Sequence, residues 1–142
     1  MALRERTPAE AGALAAGLLV EACPPHPENS LRMQVVRDLA LDLERRLEAL
    51  ADTTEGETDS LIEAALACAD LATLAACNLS VLPDRSRARA AVHLASGTTR
   101  ALVDLLESET AALEETSAKN TLRDARSAGW RADLAADQIE EA

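Results

Sequence analysis

Apolar and polar positions along this chain recur at the period of an α-helix. The clearest case lies between residues 31 and 51. There Leu31, Val35, Leu39, Leu43, Leu47 and Leu50 follow one another at spacings of four and three, while Arg37, Asp38, Asp42, Glu44, Arg45 and Glu48 take the opposite side. That pattern predicts an amphipathic helix from Leu31 to Ala51, capped by Asn29-Ser30.

The same reading extends along the chain. Thr7-Pro8-Ala9-Glu10 has the form of a capping box with proline at the first helical position, and Cys23-Pro24-Pro25 supplies a stop. Ser60-Leu61-Ile62-Glu63 repeats the capping-box form and opens a helix expected to run to Leu79. Between Ile62 and Val81 only Asp70 and Glu63 carry formal charge. A helix apolar on almost every side belongs in the middle of a bundle. A fourth helix is expected from Asp84 to Leu113, with Ala88, Ala91, Ala95, Leu102, Leu105 and Leu106 inward and Arg89, His93, Ser96, Arg100, Asp104 and Glu107 outward. After a polar junction at 114–121, a fifth carries Leu122, Ala125, Gly129, Ala132, Ala136 and Ile139 at heptad spacing.

Composition sharpens this pattern. The chain of 142 residues is 48% hydrophobic, yet it has no Phe, no Tyr and one Trp, Trp130. Sheets fill their layers with aromatic and β-branched side chains, whereas alanine and leucine suit helices that approach closely. The expectation is therefore all-α: one domain over 1–142, a single antiparallel bundle of about five helices with an alanine-rich core and the third helix central. In the first helix Gly12 with Ala16, and Ala13 with Gly17, leave small surfaces one turn apart. Each glycine costs about 1 kcal/mol of helix propensity against alanine, and close approach of a neighbouring backbone offsets that cost.

Charge removes several functions. Twenty-five acidic residues against 14 basic ones give a net charge of −11, so phosphate backbones and anionic lipid are repelled. Base-stacking platforms are missing too. No nucleic acid and no membrane is the expectation. Three cysteines, Cys23, Cys68 and Cys77, form no disulfide framework, and the charged first ten residues do not read as a secretory leader. The longest unbroken apolar run, Ala11 to Val20, is too short to span a bilayer. These features point to the cytoplasm.

The candidate chemistry is sparse. Glu63 and Asp70, seven apart, share a helix face and could act as acid and base if buried; otherwise they are the one strip of that helix that meets water. His93 on the fourth helix is a further candidate, six residues after Arg87, against the plainer reading of a solvated histidine. Cys23 and His26 lack the further ligands that a zinc site needs, no Glu-x-x-His is present, and no metal site is expected. The cysteines read as buried small hydrophobes. Trp130, between Arg126 and Arg131, reads as an anchor for the fifth helix or for an interface.

Two segments, "RTPAEAGALAAGLLVEA" and "KNTLRDARSAGWRADLAA", together resemble the helical cyclodeaminase/cyclohydrolase domain of formiminotransferase-cyclodeaminases. The resemblance implies Asn120 and Asp124 as functional residues. Asp124 would transfer a proton to a tetrahydrofolate derivative bound at a dimer interface. The chain departs from that pattern at Glu10-Ala11-Gly12, where a glycine run is usual, and at Arg123, where a serine is usual.

Two functions follow as expectations. One is a small acidic bundle without catalysis and without cofactor, acting through helix-mediated self-association or binding of a protein partner. The other is a cyclodeaminase-like enzyme or binder of tetrahydrofolate derivatives.

Overall fold

A computed structural model describes residues 2–51, 58–110 and 116–140. Five α-helices account for nearly all of them: α1 (Ala2–Ala22), α2 (Leu31–Ala51), α3 (Thr58–Asn78), α4 (Arg85–Thr110) and α5 (Thr116–Glu140), with a single 3-10 turn at Leu79–Val81. The described residues contain no strand, and the all-α expectation holds.

Helices α1, α2, α3 and α4 form a closed ring of neighbours, each touching the next and α4 returning to α1, while α5 lies against α3 and α4. Helix α3 contacts every other helix, as its apolar composition requires.

Side-chain contacts fix the directions. Leu47 of α2 lies beside Gly12 of α1, and Glu44 beside Gly17. Arg37 reaches the last turn of α1, so residue numbers rise along one helix as they fall along the other. Between α4 and α5 the pairs are His93–Glu140, Arg100–Asp133 and Glu107–Arg126, again in opposite order. Both pairs are antiparallel.

Two arginines of α2 tie the helix ends together. The Arg37 Nη1 group donates to the carbonyls of Val20 (3.0 Å) and Cys23 (2.9 Å), closing the C-terminus of α1. Arg32 does the same for α3, donating from Nη2 to the Cys77 carbonyl at 2.9 Å and from Nε to Asn78 Oδ1 at 2.6 Å. A cation at a helix C-terminus satisfies orphan carbonyls and complements the negative end of the macrodipole. At the opposite termini, Ser30 Oγ accepts from the Met33 N–H at 3.2 Å, and Asp84 Oδ1 accepts from the Arg87 N–H at 3.1 Å.

Alanine dominates the core. Ala15, Ala16, Ala65, Ala72, Ala75, Ala91 and Ala95 are wholly buried, interleaved with a few large side chains such as Leu19, Leu47, Leu71, Leu102 and Ile139. Gly12 is where the fit is tightest: a Cβ there would stand 2.6 Å from Cys68 Sγ. The small surface of α1 does admit close packing from two neighbouring helices.

Several expectations change. Helix α1 begins at Ala2, so the backbone is already helical at Thr7 and Pro8 sits inside the helix. Proline's φ suits a helix; what is lost is one hydrogen bond to the residue four earlier. Likewise α3 begins at Thr58, which leaves Ser60 and Glu63 inside the helix rather than in a capping box. In α2 the buried face is Val36, Ala40, Leu43, Leu47 and Ala51, whereas Leu31, Val35 and Leu39 face out. Leu105 is 43% exposed, and Ser96 is buried with its hydroxyl donating to the Ala132 carbonyl at 3.0 Å. The expected end of the fourth helix at 111–113 lies outside the described residues.

Candidate functional site

The sequence-derived candidates do not gather at one place. Glu63 and Asp70 are both exposed and border a groove of about 670 Å³ between α2 and α3, floored by Leu50, Leu66 and Ala67 and flanked by Arg46. Asp70 is held by the guanidinium of Arg131, which crosses from α5. Two carboxylates on one open edge, one of them paired to an arginine, form a charged seam against water.

His93 lies elsewhere. It is half exposed, with Nε2 3.5 Å from Glu140 Oε1, and it borders a separate, mostly apolar groove of about 500 Å³ between α1 and α4, lined by Pro8, Ala11, Leu94, Gly97 and Ala101. Arg87, the basic residue six positions before it, is committed to a junction network. Its Nη1 meets Asp84 Oδ2 at 2.6 Å, and its Nε meets Glu21 at 3.3 Å. The hydrogen bonds from Arg87 hold the Asp84 carboxyl below the usual aspartate range. This network joins the end of α1 to the start of α4.

Asn120 and Asp124 are exposed on α5 and border none of these grooves. Among the described residues no three His, Cys, Asp or Glu side chains come together as a metal-ligand set. His26 serves its own turn, Nδ1 accepting from the Glu28 N–H at 3.0 Å.

The cysteines divide. Cys23 and Cys68 are buried, and burial pushes the Cys68 thiol up to about 12. Burial also raises Cys23, although nearby Arg37 pulls it down in part, and its Sγ–H donates to the Met33 carbonyl at 3.3 Å. Cys77 is exposed, contrary to the expectation that all three pack inside. Nine residues from Cys68 is half a turn, so one thiol inside places the other outside.

A third groove lies between α1 and α2. Its floor is Ala13, Leu14, Gly17 and Leu18, and its walls include Glu21, Glu44 and Glu48. Partial burial raises the Glu44 carboxyl above its ordinary value, as do the charges of Glu48 and Glu21, against an opposing pull from Arg45.

Some apolar residues expected on the inner face, and the tryptophan read as an anchor for its helix or for an interface, form exposed stripes instead. On α2, Leu31, Val35 and Leu39 are 76%, 47% and 47% exposed at successive turns. On α5, Trp130 and Leu134 are 66% and 54% exposed, one turn apart, so Trp130 does not anchor its own helix to the core. The signal was present in the spacing, but it runs on the side opposite the alanines.

Helix α3 also answers a question about membranes. By length and composition Ser60–Val81 could cross one, although no uninterrupted apolar run of that length exists, and half of it is buried inside the bundle. Its contacts with every other helix, and the acids on its open edge, account for that composition as a core helix.

No family model matches this chain, and neither a curated protein nor a solved structure does.

Proposed function

We propose that this protein is a small, acidic, cytoplasmic helical bundle that acts by association, with itself or with a protein partner, through its outer helix faces and without catalysis. The supporting observation is the arrangement of its exposed large apolar side chains. Single apolar residues scattered on a surface are ordinary. Here Leu31–Val35–Leu39 and Trp130–Leu134 are aligned at helical period, and the one aromatic residue of the chain points outward. An exposed tryptophan beside a leucine is the kind of anchor that dominates helix-mediated interfaces.

Sedimentation and light scattering over a wide concentration range test the reading, alongside affinity capture from the cells that make the protein. The expected result is a mass above that of one chain, or a stoichiometric partner, lost when Val35 and Leu39 or Trp130 and Leu134 become glutamate. A strict monomer with no co-purifying protein overturns it. The folate-enzyme alternative rests on the resemblance alone, since Asn120 and Asp124 border none of the three grooves.

A further inference from the structure

The outer face of α5 carries Arg123, Ser127, Trp130, Leu134 and Asp137 at alternating spacings of four and three, all of them exposed. This is heptad spacing, and it lies opposite the seam of Ala125, Ala128, Ala132 and Ala135 that α5 buries against the bundle. The helix therefore has two seams, one filled and one open.

The charges around the open seam differ in how they are used. Arg126 is paired with Glu107, Arg131 with Asp70 and Asp133 with Arg100, so the flanking charges bind α5 to its own bundle. Arg123 and Asp137 form no ion pair with a described residue, although Asp137 lies in the wider field of Arg100. They stand seven residues on either side of Trp130, about 10 Å each way at ~1.5 Å rise per residue.

From this symmetry we infer that the occupant of the face is a second copy of the same chain, docked antiparallel along α5 with its centre at Trp130. In that register Trp130 packs against its counterpart, and Leu134 of each copy lies over Ser127 of the other, covering the Trp130 pair from both sides. Arg123 of each copy then faces Asp137 of the other, giving two identical ion pairs related by a twofold axis. A parallel copy would set Arg123 against Arg123 and Asp137 against Asp137, which like charges disfavour. The inference rests on the association reading and names the surface and the partner for it.

Trp130 reports on the interface directly, because the chain has no other tryptophan and no tyrosine. Sedimentation and indole emission are followed together from roughly 1 µM to 1 mM chain. The expected result is a monomer–dimer transition accompanied by a blue shift of the emission. Arg123→Asp should raise the dissociation constant roughly tenfold or more, and adding Asp137→Arg to it should restore dimerisation to within about threefold of the starting chain. Both positions are exposed, and circular dichroism checks that each variant keeps its helices. A dimer whose indole stays hydrated, or one indifferent to Arg123→Asp, overturns this docking mode while leaving association through another face intact. A monomer at every concentration that nonetheless captures a partner overturns the second copy as occupant. A monomer that captures nothing removes the association reading as well.

Discussion

Gly12 of α1 faces Cys68 of α3 so closely that a Cβ on the glycine would lie 2.6 Å from the sulfur, with the two methyl carbons of Leu47 at 3.1 and 3.2 Å. Three helices meet at this point, and neither Cys68 nor Leu47 has solvent to retreat into, since both are wholly buried. Alanine at residue 12 would gain about 1 kcal/mol of helix propensity, but overpacking a close-fitted interior typically costs about 1–3 kcal/mol. The interior should win. Gly12→Ala is expected to destabilise by about 1–2 kcal/mol in urea unfolding. Adding Cys68→Ala should recover part of that loss by removing the nearest atom, and equal midpoints for the single and double variants would refute the contact.

The same substitution should reverse its sign at two other glycines. At Gly17 the only near atom is the carboxylate oxygen of Glu44, 2.9 Å away at the free end of a flexible side chain, and at Gly97 nothing lies within 4 Å. Neither position constrains a core side chain. Gly97→Ala is expected to raise stability by about 0.5–1 kcal/mol through helix propensity alone. Gly17→Ala should gain somewhat less, because Glu44 must swing aside. Thermal unfolding of the three alanine variants side by side reads the contrast, and a loss at Gly97 would contradict the open geometry.

These glycines show what was legible in the sequence. Periodicity located five helices, and the bounds of α2 are those expected. It set the rotation of α4, where Ala88, Ala91, Ala95, Leu102 and Leu106 are buried as expected, and misjudged that of α2, where leucine and valine were taken to mark the buried face. In a core rich in alanine, small side chains such as Ala40 and Ala51 take part of the buried face of α2, and Leu31, Val35 and Leu39 are left outside. Capping boxes misled as well. They fit the local pattern at Thr7 and Ser60, but the helical backbone already starts at Ala2 and at Thr58. The candidate acids and His93 were correctly seen as lying on helices, yet spacing along single helices carries no information about which grooves they would share.

The guanidinium of Arg37 substitutes for the missing helical partners of Val20 and Cys23. It is half buried, and hydrogen bonds from a charged donor contribute about 1.5–3 kcal/mol when their loss strands buried acceptors. Arg37→Met keeps the aliphatic stem and is expected to lower stability by about 1–3 kcal/mol. Hydrogen exchange should show the loss at the end of α1 first, at the amide of Cys23, which donates to Val20. Uniform acceleration across all five helices would mean that Arg37 matters through packing rather than capping.

Thiol chemistry gives an independent reading of burial. Cys77 is exposed while Cys23 and Cys68 are buried, and the thiolate, the reactive form, is suppressed by burial at both inner sites. A disulfide reagent at neutral pH should therefore modify one thiol per chain rapidly. The other two should react only as the protein unfolds, with Cys77→Ser abolishing the fast phase. Fast modification of two or more thiols would contradict the packing of α1 against α3.

Glu44 allows the sign of a pH effect to be worked out. Its carboxyl sits over Gly17 at the edge of the α1–α2 contact, where partial burial is the largest influence, followed by repulsion from Glu48 and then, after relief from Arg45, from Glu21. All but Arg45 disfavour the charged form, so the pKa is higher in the folded chain than in the unfolded one. The folded state then holds the proton more tightly. The associated stability is fully present below the unfolded value and is lost as pH rises through the folded value. At neutral pH the ionised carboxylate is a net penalty, kept to at most about 1 kcal/mol because the site is open enough for solvent screening. Glu44→Gln, which keeps the shape without the charge, should therefore be more stable than the parent at pH 7. Its advantage should shrink as the pH falls through the range where glutamates titrate. An advantage that is the same at every pH would show that the carboxylate's charge is not the source.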